Sequence, residues 1–92
     1  MSETVTKTLK IINEKGLHAR ASAKLVEVVE EFDAIAEVSR DGMSALGDSI
    51  MGLLMLAASK GTSIEVQTSG TDAAALAEAL EALVADRFGE AC

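Results

Sequence analysis

The chain of 92 residues contains one histidine and one cysteine. Cys92 stands at the extreme C-terminus and is read as inert, so nucleophilic chemistry falls to His18. His18 lies in Gly16-Leu17-His18-Ala19-Arg20, and the residues that follow carry the spacing of an amphipathic helix. Within Ala19 to Phe32, Leu25, Val28, Val29 and Phe32 fall at i, i+3, i+4 and i+7. The first turn of a helix leaves backbone N–H groups unpaired and a partial positive charge, a natural seat for an anion. Charge order strengthens that seat. Arg20 and Lys24 occupy the early turns, and Glu27, Glu30 and Glu31 the later ones. That is the reverse of what the macrodipole favours, at ~0.3–1 kcal/mol per charge. Positive surroundings disfavour an imidazolium, so the ring is expected to be neutral and nucleophilic. A phosphoryl group placed on it would meet the free amides, that of Ala19 among them, and the two-pronged guanidinium of Arg20. Ser22, a turn beyond His18, would add a hydroxyl contact. The bland alternative is a surface or capping histidine with no task.

The elements that must hold this imidazole follow from periodicity. Thr4 to Ile12 alternates, with Val5, Leu9 and Ile11 on one face, and reads as a strand. A second strand near Ala34 to Arg40 turns Ala36 and Val38 inward. Asp41-Gly42 suits a primed hairpin turn into a third strand, Met43 to Leu46. Ser49 to Ala58 is apolar but poor in β-branched residues, which predicts a helix, with Gly61 as its C-terminal cap. Ile64, Val66 and Thr68 alternate in a fourth strand. Thr71-Asp72 is expected to cap a last helix that buries Leu76, Leu80, Leu83 and Val84, with Asp72 at its start and Arg87 near its end. The expected fold is one domain over residues 1–92, an α/β two-layer open-faced sandwich in the order β-α-β-β-α-β-α. Its helices cover one face of a mostly antiparallel sheet.

Ser49 to Ala58 carries no charge. Leu53, Leu56 and Ala57 can face the core, while Met51, Leu54, Met55 and Ala58 form a second stripe with Ile50 at its edge. A short outer helix cannot bury both stripes. The expected result is an exposed, Met-rich docking surface, unless loops cover it. Composition narrows the partners. A formal charge of −7 and an aromatic content of 2% argue against nucleic acid, which needs cationic grooves and stacking platforms. Met1-Ser2-Glu3-Thr4 lacks the pattern of a leader peptide, and no apolar stretch is long enough to span a bilayer. A cytoplasmic monomer without cofactor, metal or membrane insertion is expected.

Gly16-Leu17-His18-Ala19-Arg20 before a helix, together with Ser49-Ile50-Met51-Gly52-Leu53 later, resembles the HPr phosphocarrier family of the phosphoenolpyruvate-dependent phosphotransferase system. The likeness spans nearly the whole chain. It implies a four-stranded antiparallel sheet in the order 1-4-2-3. It further implies that His18 takes a phosphoryl group on Nδ1 from phosphorylated enzyme I and hands it to a histidine of an enzyme IIA. By the same match Arg20 steadies the phosphate, and Ile50, Met51, Leu54 and Met55, with Lys24 nearby, form the docking surface. Ser49 falls where a dedicated kinase (HPr kinase/phosphorylase) acts in many bacteria. As a residue, Ser49 also reads as a plain N-cap. One departure concerns Ala21, since sugar-transport members commonly carry Pro after the arginine. Ala21-Ser22-Ala23-Lys24 looks more like the nitrogen-related branch or the single carrier of some proteobacteria.

Two other readings compete. A hydrolase or transferase in its own right fares badly, with one histidine, no Gly-rich phosphate loop and no metal-ligand spacing, although Glu14 could serve as a carboxylate partner to His18. A regulatory binding module, with docking set by phosphorylation of His18 or Ser49, is compatible with the carrier chemistry.

Overall fold

Residues 3–92 are described by a computed structural model; Met1 and Ser2, where the leader pattern was sought, lie outside them. Alternating apolar residues build four strands: β1 (Glu3–Lys10), β2 (Ile35–Arg40), β3 (Met43–Leu46) and β4 (Ser63–Gly70). They form one antiparallel sheet in the order β1-β4-β2-β3. Leu9, Ala36, Val38, Ile64, Val66 and Thr68 point from it into the core. The helices α1 (Ala19–Glu30), α2 (Ile50–Met55) and α3 (Ala73–Ala85) cover that face, as the resemblance implied. Asp41 and Gly42 both take positive φ, 50° and 80°, the primed hairpin turn read from the dipeptide. Among the described residues no helix is long and apolar enough to cross a membrane.

Several local expectations are corrected. The buried arc of α1 is Ala21, Ser22, Leu25, Val26 and Val29. Val28 and Phe32 are only partly buried, because α1 packs against α2 and α3. Val28 falls at the edge of that arc and Phe32 beyond the helix end. Helix α2 stops at Met55, and Ala57 at φ 51° turns the chain. Ala57 is therefore exposed and Ala58 buried, the opposite of their expected roles. Gly61 does not cap α2; its N–H donates to the Ile11 carbonyl at 2.8 Å and joins the loop to the end of β1. Asp72 occupies the N-cap of α3 without a side-chain cap bond. Its carboxylate accepts from the Asp33 amide at 2.8 Å instead, and its own N–H donates to the Asp33 carbonyl at 3.0 Å. Arg87 lies past the end of α3, in a short 3-10 turn over Arg87–Gly89.

Candidate functional site

The loop between β1 and α1 is fastened before it reaches His18. Asn13, fully buried, donates from Nδ2 to the Gly16 carbonyl at 2.9 Å. The Leu17 amide donates to the Ala58 carbonyl at 2.8 Å. Gly16, at φ +63°, lies so close to that strand of chain that a Cβ would stand 2.4 Å from the Ala58 oxygen. Only glycine accommodates both the angle and the approach. The chain then enters α1 with His18 as the N-cap in extended geometry, φ −83° and ψ −175°. Its carbonyl accepts the first helical hydrogen bond, from the Ser22 amide at 2.8 Å.

The ring itself does the capping. Nδ1 accepts from the Arg20 amide at 3.3 Å, and Nε2 meets the carboxylate of Glu90. A backbone N–H can only donate and a carboxylate only accept, so the proton sits on Nε2 and the Nδ1 lone pair is free of one. Nδ1 thus points at the anion seat of the helix, where the amide of Ala19 has no intrahelical acceptor. Ala19 and Arg20 are exposed. Arg20, Lys15 and Lys24 line a cavity of about 360 Å³ together with His18 and Glu90. Among the described residues the Arg20 guanidinium makes no ion pair. The three cations share this space with two side-chain carboxylates, Glu90 and Glu14.

Glu90 and Asn13 were not singled out from the sequence. Glu90 is 72 residues from His18, and its Oε1 accepts from Asn13 Nδ2 at 3.0 Å. The Asn13 amide first, then the His18 ring, holds the Glu90 carboxyl below the usual carboxylate range, with the Lys15 charge adding to the effect. This carboxylate opposes the positive mouth of α1, so the surroundings of the ring are not uniformly positive as expected. A usable signal existed in Phe88, an isolated aromatic beyond the last helical stripe, which marks a tail that returns to the core. Glu14, the carboxylate offered as a partner for His18, is engaged elsewhere. It binds Lys60 at 2.9 Å, and that contact lowers its pKa.

Other expected site residues fall as follows. Ser22 is fully buried and its hydroxyl donates to the Leu17 carbonyl at 3.4 Å. The expected hydroxyl contact to a phosphate is thus not available in this arrangement, because position 22 turns inward from the helix mouth. Lys24 donates to the Phe88 carbonyl at 2.6 Å, which ties it to the C-terminal tail. Ser49 is the N-cap of α2, its Oγ accepting from the Gly52 amide at 3.0 Å. Met51 and Met55 are 70% and 69% exposed, Ile50 is 39% exposed, and Leu54 is half-buried. This apolar surface and the His18 loop are joined by the Leu17–Ala58 hydrogen bond.

Residues 5–86 match the family described as the PTS HPr component phosphorylation site. The chain is 48% identical over 80 residues to the phosphocarrier protein HPr of Cupriavidus necator, covering 87% of this chain and 90% of that protein. It is 42% identical over 81 residues to the phosphocarrier protein NPr of Shewanella violacea, covering 88% and 89%. Among solved structures, HPr-C-His from Thermoanaerobacter tengcongensis superposes with a TM-score of 0.91 at 32% identity, covering 96% of this chain and 99% of that one. The Bacillus subtilis catabolite repression HPr, Crh, superposes with a TM-score of 0.64 at 32% identity, covering 87% and 95%.

Proposed function

Because the chain belongs to the HPr family of phosphocarrier proteins, we propose that His18 Nδ1 accepts a phosphoryl group from phosphorylated enzyme I and passes it to a histidine of an enzyme IIA. The observation that carries this reading is the orientation of the ring, with the unprotonated Nδ1 against the Arg20 amide and Nε2 against Glu90. When Nδ1 takes up phosphorus, the Arg20 N–H loses its acceptor and becomes free for a phosphoryl oxygen. The Ala19 amide and the Arg20 guanidinium supply further donors.

On this reading the chain is a carrier, and turnover depends on its partners. Ile50, Met51, Leu54 and Met55 present the apolar docking surface, and Lys24 and Arg20 provide charge beside it. A kinase of the HPr kinase/phosphorylase type would act at Ser49, and a phosphate there would place negative charge at the edge of that surface. On this reading the protein works as a monomer in the cytoplasm. A second reading, a regulatory module that acts by docking, is supported by the likeness to the NPr and Crh proteins. It predicts that no sugar permease accepts phosphate from His18.

The test is transfer of labelled phosphate from phosphoenolpyruvate through purified enzyme I to the native chain and to His18→Ala. Label on the native chain alone is expected. Retention of label by the variant would place the acceptor elsewhere, and uptake without enzyme I would make the chain an enzyme.

A further inference from the structure

The C-terminal tail reaches His18 from the opposite end of the chain, and three separate tethers hold it there. Phe88 is fully buried in the core. Lys24 Nζ donates to the Phe88 carbonyl at 2.6 Å. Asn13, with no exposed surface, spans Gly16 on the His18 loop and Glu90 on the tail. Seating Phe88 requires φ 54° at both Arg87 and Phe88, a left-handed conformation that bulky L residues rarely adopt. All three tethers converge on one outcome, the Glu90 carboxylate against Nε2 of His18.

We propose that Glu90 is a positioning residue that keeps the ring proton on Nε2 through both halves of the transfer cycle. This rests on the reading of His18 as the phosphoryl carrier. In loading, the Nδ1 lone pair forms the N–P bond while the bond from phosphorus to the donor breaks, and its electron pair leaves with the donor. The ring becomes positively charged with its proton still on Nε2, and the carboxylate lies against that charge. In unloading, the N–P bond breaks, its electron pair returns to Nδ1, and the ring departs as neutral imidazole. A loaded ring that had lost the Nε2 proton would have to leave as imidazolate, a far poorer leaving group. The phosphoryl group would then be trapped on the carrier.

The same logic of a carboxylate that fixes a histidine tautomer operates in hydrolase triads. Here it serves reversibility. The charged groups that face Glu90 agree with an ionised acceptor. Lys15, Arg20 and Lys24 line the same cavity, and Glu14, the other carboxylate there, is bound to Lys60.

The experiment compares native protein, Glu90→Gln and, as a control on exposed α3 surface, Glu78→Gln. Each is labelled with 15N in the imidazole, loaded through enzyme I and phosphoenolpyruvate, and unloaded by excess enzyme I with pyruvate. Native protein and Glu78→Gln are expected to show the proton on Nε2 and equal unloading rates. Glu90→Gln is expected to load on His18, lose much of the Nε2–H tautomer, and unload about tenfold or more slowly. A folded Glu90→Gln that unloads at the native rate would overturn the proposal. So would a native imidazole spectrum with the proton on Nδ1, a result that needs no variant to fold. Failure of the native chain to load would instead defeat the carrier reading beneath it.

Discussion

Replacing Gly16 by Ala tests whether the His18 loop is held by close approach to the chain after α2. Two effects act at this position. The first is conformational: at φ +63° an L residue is strained by about 1 kcal/mol. The second is contact. The new Cβ would stand 2.4 Å from the Ala58 oxygen and 2.9 Å from the Ser59 Cα, both backbone atoms that no rotamer can move aside. Relief requires the loop to retreat, which breaks the Leu17–Ala58 hydrogen bond of 2.8 Å and loosens the buried Leu17. A lost hydrogen bond with its buried partner left unpaired adds about 1–3 kcal/mol, so the total is about 2–4 kcal/mol. Gly61→Ala isolates the first effect, since Gly61 has φ +91° and a Cβ there meets nothing within 4 Å. For a domain of this size about 1 kcal/mol lowers Tm by ~4–8 °C. Gly61→Ala should therefore fall by ~4–8 °C and Gly16→Ala by at least twice as much. Thermal unfolding followed by circular dichroism reads both. Equal shifts in the two variants would show that the loop does not bear on Ala58 as described.

Two further predictions concern charge. Ser49→Asp retains an N-cap oxygen for the Gly52 amide, so stability should change by less than about 1 kcal/mol. Phosphorylation by enzyme I should nevertheless slow severalfold, and unchanged kinetics would count against a regulatory role for this position. Glu90 is held below the usual carboxylate range, so it contributes stability that is present above that range and lost as pH falls through its own lower value. Native protein should therefore resist urea better than Glu90→Gln near neutrality, with the difference closing as acidification carries the Glu90 carboxylate to its protonated form. A difference that does not vary with pH would contradict the ionised contact.

The parts of this molecule that were legible in the sequence are those specified over a few residues. Alternation in Ile64, Val66 and Thr68 places one face of β4, and Asp41-Gly42 dictates its own turn. Ser49 is followed by the amide it caps. Illegible features depend on partners distant in the chain. Asp72 has the side chain of a cap, yet its carboxylate is drawn to the Asp33 amide 39 residues away. Ala57 takes φ 51° although nothing in its type favours that, because the chain must turn there to bring Ala58 under the His18 loop. The candidate site divides in the same way. His18, Arg20 and the amide of Ala19 belong to one helix start and were read together. Asn13 and Glu90 complete the site through the tertiary fold, and Glu14, which sequence proximity favoured, faces Lys60.

The reversed charges of α1 now have a structural account. With no acidic residue in its first turn and no basic residue in its last, the helix gains nothing from its macrodipole, so its stability must come from burial. Ala21, Leu25, Val26 and Val29 provide that burial. Lys24, in the second turn, donates to the Phe88 carbonyl, so this cation anchors the tail. Arg20 has no such partner among the described residues. A guanidinium that lines the same cavity as His18, on a helix already carrying an unfavourable charge order, is what the proposed phosphoryl transfer at Nδ1 would use.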